Sequence, residues 1–131
     1  MGIVYHSNYF IWFEVARSDF FKSIGYSYSK LEDENIILPV TEVKCEYFKP
    51  ARYDQNVRVE TSINLFKGVR FGLYYEIYDD QTGDLLAKGH TLHGFVNKEL
   101  KPVNIKKKNP EVYAIISKAM EEEDNGEEKT R

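Results

Sequence analysis

The sequence predicts an α+β protein in which a curled, mainly antiparallel sheet wraps one long central helix. Three observations carry that expectation. The chain opens on a run that is apolar around most of a helical circumference. Four later segments change to the two-residue period of strands. Short turn-forming stretches separate those segments, too short for crossover helices.

The opening run extends from about Ser7 to Lys22. Its apolar members are Tyr9, Phe10, Ile11, Trp12, Phe13, Val15, Ala16, Phe20 and Phe21, whereas Glu14, Arg17, Ser18 and Lys22 form a narrow polar stripe. Such a helix requires other structure around it. Ser7 or Asn8 supplies a cap at its start and Gly25 a stop at its end. After the polar stretch "SKLEDEN" come "ILPVTEVKCEYFKPA", "NVRVETSINLF", "VRFGLYYEIYD" and "LLAKGHTLHGFVN", all rich in Val, Ile, Tyr, Phe and Thr. Their separators are "RYDQ", "KG" and "DQTGD", and the last two are short enough for antiparallel hairpins. "KPVNIKKKNP" then leads into a terminal helix from about Pro110 to Met120. A single curled sheet leaves an edge strand exposed, so edge-to-edge dimerisation is expected.

At 131 residues the chain fits one domain, placed at residues 1–120, followed by a tail at 121–131 expected to lack structure. The tail "EEEDNGEEKTR" holds six of the 21 acids and two of the 18 bases, leaving 15 acids and 16 bases in the domain. That near-neutral balance argues against a nucleic-acid partner, whose domains are usually basic along one face. One cysteine, Cys45, cannot form an internal disulfide and favours a reducing compartment. No apolar run is long enough for a membrane span, and no basic segment precedes the first apolar stretch as in a signal peptide. The expected location is the cytoplasm.

Chemistry concentrates in "GIVYHSNY". Backbone N–H groups at a helix start point outward unpaired, and the macrodipole adds partial positive charge, so a carbonyl oxygen gaining negative charge is stabilised there. Gly2 permits close approach. His6, just ahead of the helix, suits orienting a water, donating a hydrogen bond or taking a proton. From spacing alone it also reads as an ordinary side chain of the cap region. His90 and His93 have an odd separation that puts them on opposite faces of a strand, which argues against a shared metal. No Cys/His cluster, Gly-rich phosphate loop or Gly-x-Ser-x-Gly elbow is present, so neither a metal nor another cofactor is expected.

"GIVYHSNYFIWFEVAR", "LPVTEVKCEYFKPARYD" and "GHTLHGFVN" together resemble the 4-hydroxybenzoyl-CoA thioesterase-like branch of the hotdog-fold acyl-CoA thioesterases, including the Tol-Pal-associated type. The resemblance runs from Gly2 to about Lys106. It implies a hotdog fold, a homodimer or homotetramer with sites between subunits, and hydrolysis of an acyl-CoA to free acid and CoA. His6 and the adjoining backbone at His6 and Ser7 would polarise the thioester carbonyl. Lys67 and Arg70, flanking the "KGVR" turn, would take the CoA phosphates, with Lys106, Lys107 and Lys108 as second candidates. Glu14 would be structural, paired with Arg17 or Arg52. The family's aspartate, nucleophile or general base, stands three positions before the motif glycine. Counting back from Gly2 puts it upstream of Met1, so the first strand and the aspartate are expected upstream. The alternative implied by its absence is a non-catalytic binder of CoA thioesters.

Overall fold

A computed structural model describes residues 7–52 and 56–130. The elements run α1 (Ser7–Ser23), α2 (Tyr28–Asp33), β1 (Val40–Tyr47), β2 (Val57–Lys67), β3 (Arg70–Asp79), β4 (Leu85–Gly94), α3 (Ile105–Lys108) and α4 (Pro110–Thr130). All strand pairings are antiparallel and the order is β1-β4-β3-β2. The hairpins expected at "KG" and "DQTGD" are present, with Lys67 opposite Arg70 and Tyr78 opposite Leu85. β1 and β2 are the two edges.

Residues four apart on α1, namely Tyr9, Phe13, Arg17 and Phe21, form its buried face. Phe13 stacks on Tyr75 with ring centroids 4.4 Å apart, and Phe21 meets Phe71 at 5.4 Å. The helix therefore runs antiparallel to β3. Gly89 makes this closeness possible: a Cβ there would stand 2.8 Å from the Phe13 ring and 2.3 Å from the Lys44 carbonyl oxygen. Gly25 terminates α1 as expected. At φ 84° it lets Tyr26 N–H reach the Phe21 carbonyl at 2.9 Å and its own N–H reach that of Lys22 at 3.0 Å.

Three expectations need correction. The antiparallel sheet packs on α1 as expected, but the described residues do not enclose the helix: Ile11 and Val15 are more than half exposed and Phe10 is also exposed. One sheet covers one side of a helix, and the opposite apolar side stays open. Arg17 does not belong to a solvent stripe but lies 7 % exposed in the core face, four residues after Phe13. Finally, α4 continues past Met120 to Thr130, through Glu and Lys residues that favour helix. Glu123, inside the expected tail, accepts a 2.8 Å hydrogen bond from Ile63 N–H.

Two short helices arise from side-chain caps. Ser27 accepts from Lys30 N–H at the start of α2, and Asn104 from Lys106 N–H at the start of α3. α4 is locked down through Asn109, whose Nδ2 donates to Glu34 at 2.8 Å and to the Tyr26 hydroxyl at 3.2 Å. The Tyr26 hydroxyl donates to Glu34 in turn.

Candidate functional site

The start of α1 is held against the end of β1. The Tyr9 hydroxyl accepts a 3.3 Å bond from Ala51 N–H, and its ring meets Tyr47 and Trp12 edge-on at 4.9 and 5.0 Å. Ala51 is wholly buried, so the loop after β1 is packed beside the first helical turn. The opening N–H groups of α1 have no intrahelical acceptors. They form a fixed partial positive charge on a rigid element.

From that turn a crevice of about 300 Å³ runs along α1. Phe10, Ile11, Val40 and Val43 are its apolar walls, and Phe13, Thr91, Glu14 and Arg17 complete it. A wider trench of about 480 Å³ lies on the other side of α1, between Trp12, Ala16 and Phe20 and the Val57–Thr61 stretch of β2.

Arg17, Thr91 and His93 are the buried polar residues among those described, and they are neighbours. The His93 ring is neutral at ordinary pH, its pKa pushed down to about 4 by burial and by the charge of Arg17. Its Nδ1 faces the Leu38 carbonyl at 3.2 Å, which only accepts, so Nδ1 carries the proton. Nε2 then accepts from Thr91 Oγ1 at 2.9 Å, and Thr91 accepts from the Tyr75 hydroxyl at 2.9 Å. Tyr75 accepts from Arg17, whose Nε also donates to the Tyr28 hydroxyl. Every hydrogen bond in the chain points away from Arg17, so one orientation of the set is selected. Burial pushes the Tyr28 phenol up to about 12, so it remains protonated.

The expected site residues fall in different places. His6 lies outside the described residues, and Ser7 is the first residue of α1. Lys67 and Arg70 are exposed at the ends of the β2–β3 hairpin. That hairpin docks on α3, where Ile105 N–H donates to Gly68 O at 2.7 Å, so it lies beside exposed Lys106, Lys107 and Lys108. This basic end adjoins the C-terminal half of α1, because Phe71, next to Arg70, contacts Phe20 and Phe21. It is roughly 20 Å along the helix axis from Ser7. Glu14 is 4.0 Å from Arg17 Nη2, as the pairing with Arg17 implied. His90 pairs with Glu42 at 2.9 Å on the outer sheet face while His93 faces inward, so the two do not converge.

Cys45 is half-buried, and burial raises its thiol pKa, which opposes a nucleophilic role. Sequence reasoning missed Arg17 as a buried group. Its signal was the four-residue spacing from Tyr9 and Phe13, outweighed by the habit of reading arginine as solvent-facing.

The family model of the thioesterase-like superfamily matches residues 1–116. YneP of Bacillus subtilis (strain 168), named as a candidate acyl-CoA thioesterase, is 36% identical over 120 residues, covering 91% of this chain and 86% of that protein. The acyl-CoA thioesterase YbgC of Helicobacter pylori (strain J99) is 30% identical over 124 residues, covering 88% of this chain and 90% of YbgC. Among solved structures, a DHNA-CoA thioesterase from Staphylococcus aureus superposes with a TM-score of 0.88 at 33% identity, covering 96% of this chain and 85% of that one.

Proposed function

Because this chain belongs to the thioesterase-like superfamily, we propose that it is an acyl-CoA thioesterase converting an acyl-CoA and water to the free acid and CoA. The observation that carries the reading is the start of α1: a helix N-terminus, whose first N–H groups have no acceptor within the helix, beside an apolar crevice of acyl-chain dimensions. The first-turn amides draw charge onto the thioester oxygen. Water adds to the carbonyl carbon, the oxyanion is held at the helix start, and its collapse breaks the C–S bond. The CoA sulfur leaves and takes a proton. His6 orients the carbonyl or the water, and the family resemblance implies a carboxylate as the group that activates the water. Acyl and CoA ends lie on opposite sides of the reacting carbonyl, with the nucleotide phosphates taken by Lys67 and Arg70. That basic end and the helix start are far apart in one subunit, which is supporting ground for a site completed between two copies.

A homodimer is part of the same reading. The free edge of β1 and the exposed Phe10, Ile11, Val40 and Val43 form an apolar surface around the crevice mouth, which exposed Val15 continues along α1. A second copy would cover it and close the crevice to water. A cytoplasmic location fits the single cysteine.

The test is thiol release from a panel of acyl-CoAs, with this chain beside a version extended upstream through the expected aspartate. Turnover by the longer version, lowered more strongly by His6→Ala than CoA binding is, would support the mechanism. CoA-thioester binding without turnover in both would replace the thioesterase reading with that of a binder. Unchanged turnover in His6→Ala would remove His6 from the site.

A further inference from the structure

The crevice beside α1 is apolar at its mouth and cationic at its inner end. Arg17 is the buried charged residue among those described, in a helix face otherwise made of Tyr9, Phe13 and Phe21. An aliphatic residue there would avoid the cost of desolvating a charge. A break in the core pattern of this kind marks a place where something other than packing is served.

The charge is also poorly balanced. Two of its donors go to the neutral phenols of Tyr28 and Tyr75. Its carboxylate partner among the described residues, Glu14, stands at the 4.0 Å limit with a side chain 71% exposed, where water screens the attraction. The guanidinium carries five N–H donors in a planar fork suited to a carboxylate. It forms part of the crevice wall together with Thr91, whose hydroxyl proton is already committed to His93. The crevice thus offers a ligand a held cation at its inner end and apolar side chains before it.

Distance suits a medium-length chain. Arg17 lies ten residues beyond Ser7, roughly 15 Å along the axis. Its side chain leans back toward the helix start, leaving roughly 10 Å between the first-turn amides and the guanidinium.

We propose that Arg17 selects acyl-CoA substrates whose acyl chain ends in a carboxylate, the half-thioesters of dicarboxylic acids. The inference rests on the thioesterase reading for the position of the reacting carbonyl. The walls at Phe10, Ile11, Val40 and Val43 take the methylene chain, and the guanidinium fork takes the terminal carboxylate.

The test compares suberyl-CoA with octanoyl-CoA, in the version of the protein that turns over. The expected result is a preference for suberyl-CoA of about tenfold or more in kcat/KM, carried mainly by KM, as for a charge-assisted hydrogen bond. Arg17→Gln should reverse the preference, with Arg17→Lys between the two. Hydrolysis of octanoyl-CoA with no preference for suberyl-CoA would overturn the inference and leave the thioesterase reading standing. Calorimetric binding of suberate and octanoate to the intact protein provides a readout that needs neither turnover nor a folded variant. Tighter suberate binding supports the inference even where neither thioester is cleaved; equal binding, or none, overturns it.

Discussion

Arg17, Tyr75, Thr91 and His93 show how one ionisation state organises its neighbours. His93 accepts from Thr91 because the ring is neutral, and it is neutral because burial and Arg17 disfavour a second positive charge. Its pKa of about 4 lies below the ordinary 6.5, so the unfolded chain binds the extra proton first. The linked stability is therefore fully present above pH 6.5 and falls as pH drops toward 4. We expect this group to account for about 3 kcal/mol of that loss. Urea unfolding at pH 7 and pH 4 should show a shallower decline for His93→Gln than for the parent protein. Equal declines would remove His93 as the source.

At the scale of elements, the contact between α1 and the sheet depends on a large ring over a residue with no side chain. Phe13 lies against Tyr75 and directly above Gly89. Gly89→Ala places a methyl against both the Phe13 ring and the Lys44 backbone, and the backbone cannot swing aside. We expect a loss of about 1–3 kcal/mol, measured by chemical denaturation. Phe13→Ala removes the ring instead and should cost about 3–5 kcal/mol. The C-terminal helix is tied to the sheet by the Tyr113 ring on Phe66, 5.2 Å between centroids, and by the Glu123 carboxylate on Ile63 N–H beside the irregularity between Ile63 and Leu65 of β2. Glu123→Ala should raise amide exchange at Ile63 while leaving Leu73, in the centre of the sheet, protected. Unchanged exchange at Ile63 would show that water replaces the carboxylate without cost.

For the molecule as a whole, the open side of α1 is the dominant feature. Ile11 and Val15 point outward from a helix whose other face is the core, and Val40 and Val43 extend the same surface onto β1. In the proposed dimer these residues are buried. Val43→Lys should shift the protein toward monomer in sedimentation equilibrium, because it puts a charge into the apolar patch. The same variant should lose turnover if the site is completed between copies. A monomeric parent protein would end that part of the reading.

Much of this was readable from residue order. The helix from Ser7, its stop at Gly25, the two hairpins and the opposed histidines of β4 all follow from local rules of period, capping and turn length, which act over a few residues. The resemblance carried by "GIVYHSNYFIWFEVAR" led to the family because that motif is contiguous. What packing alone decided was the depth of each residue. Arg17 reads as one more polar position until the sheet closes over its face, and Ile11 and Val15 read as core until the same sheet leaves them uncovered. A helix presents its sides equally in sequence; only the position of the sheet chooses which side loses water, and through that choice which charge is buried and which apolar face seeks a partner.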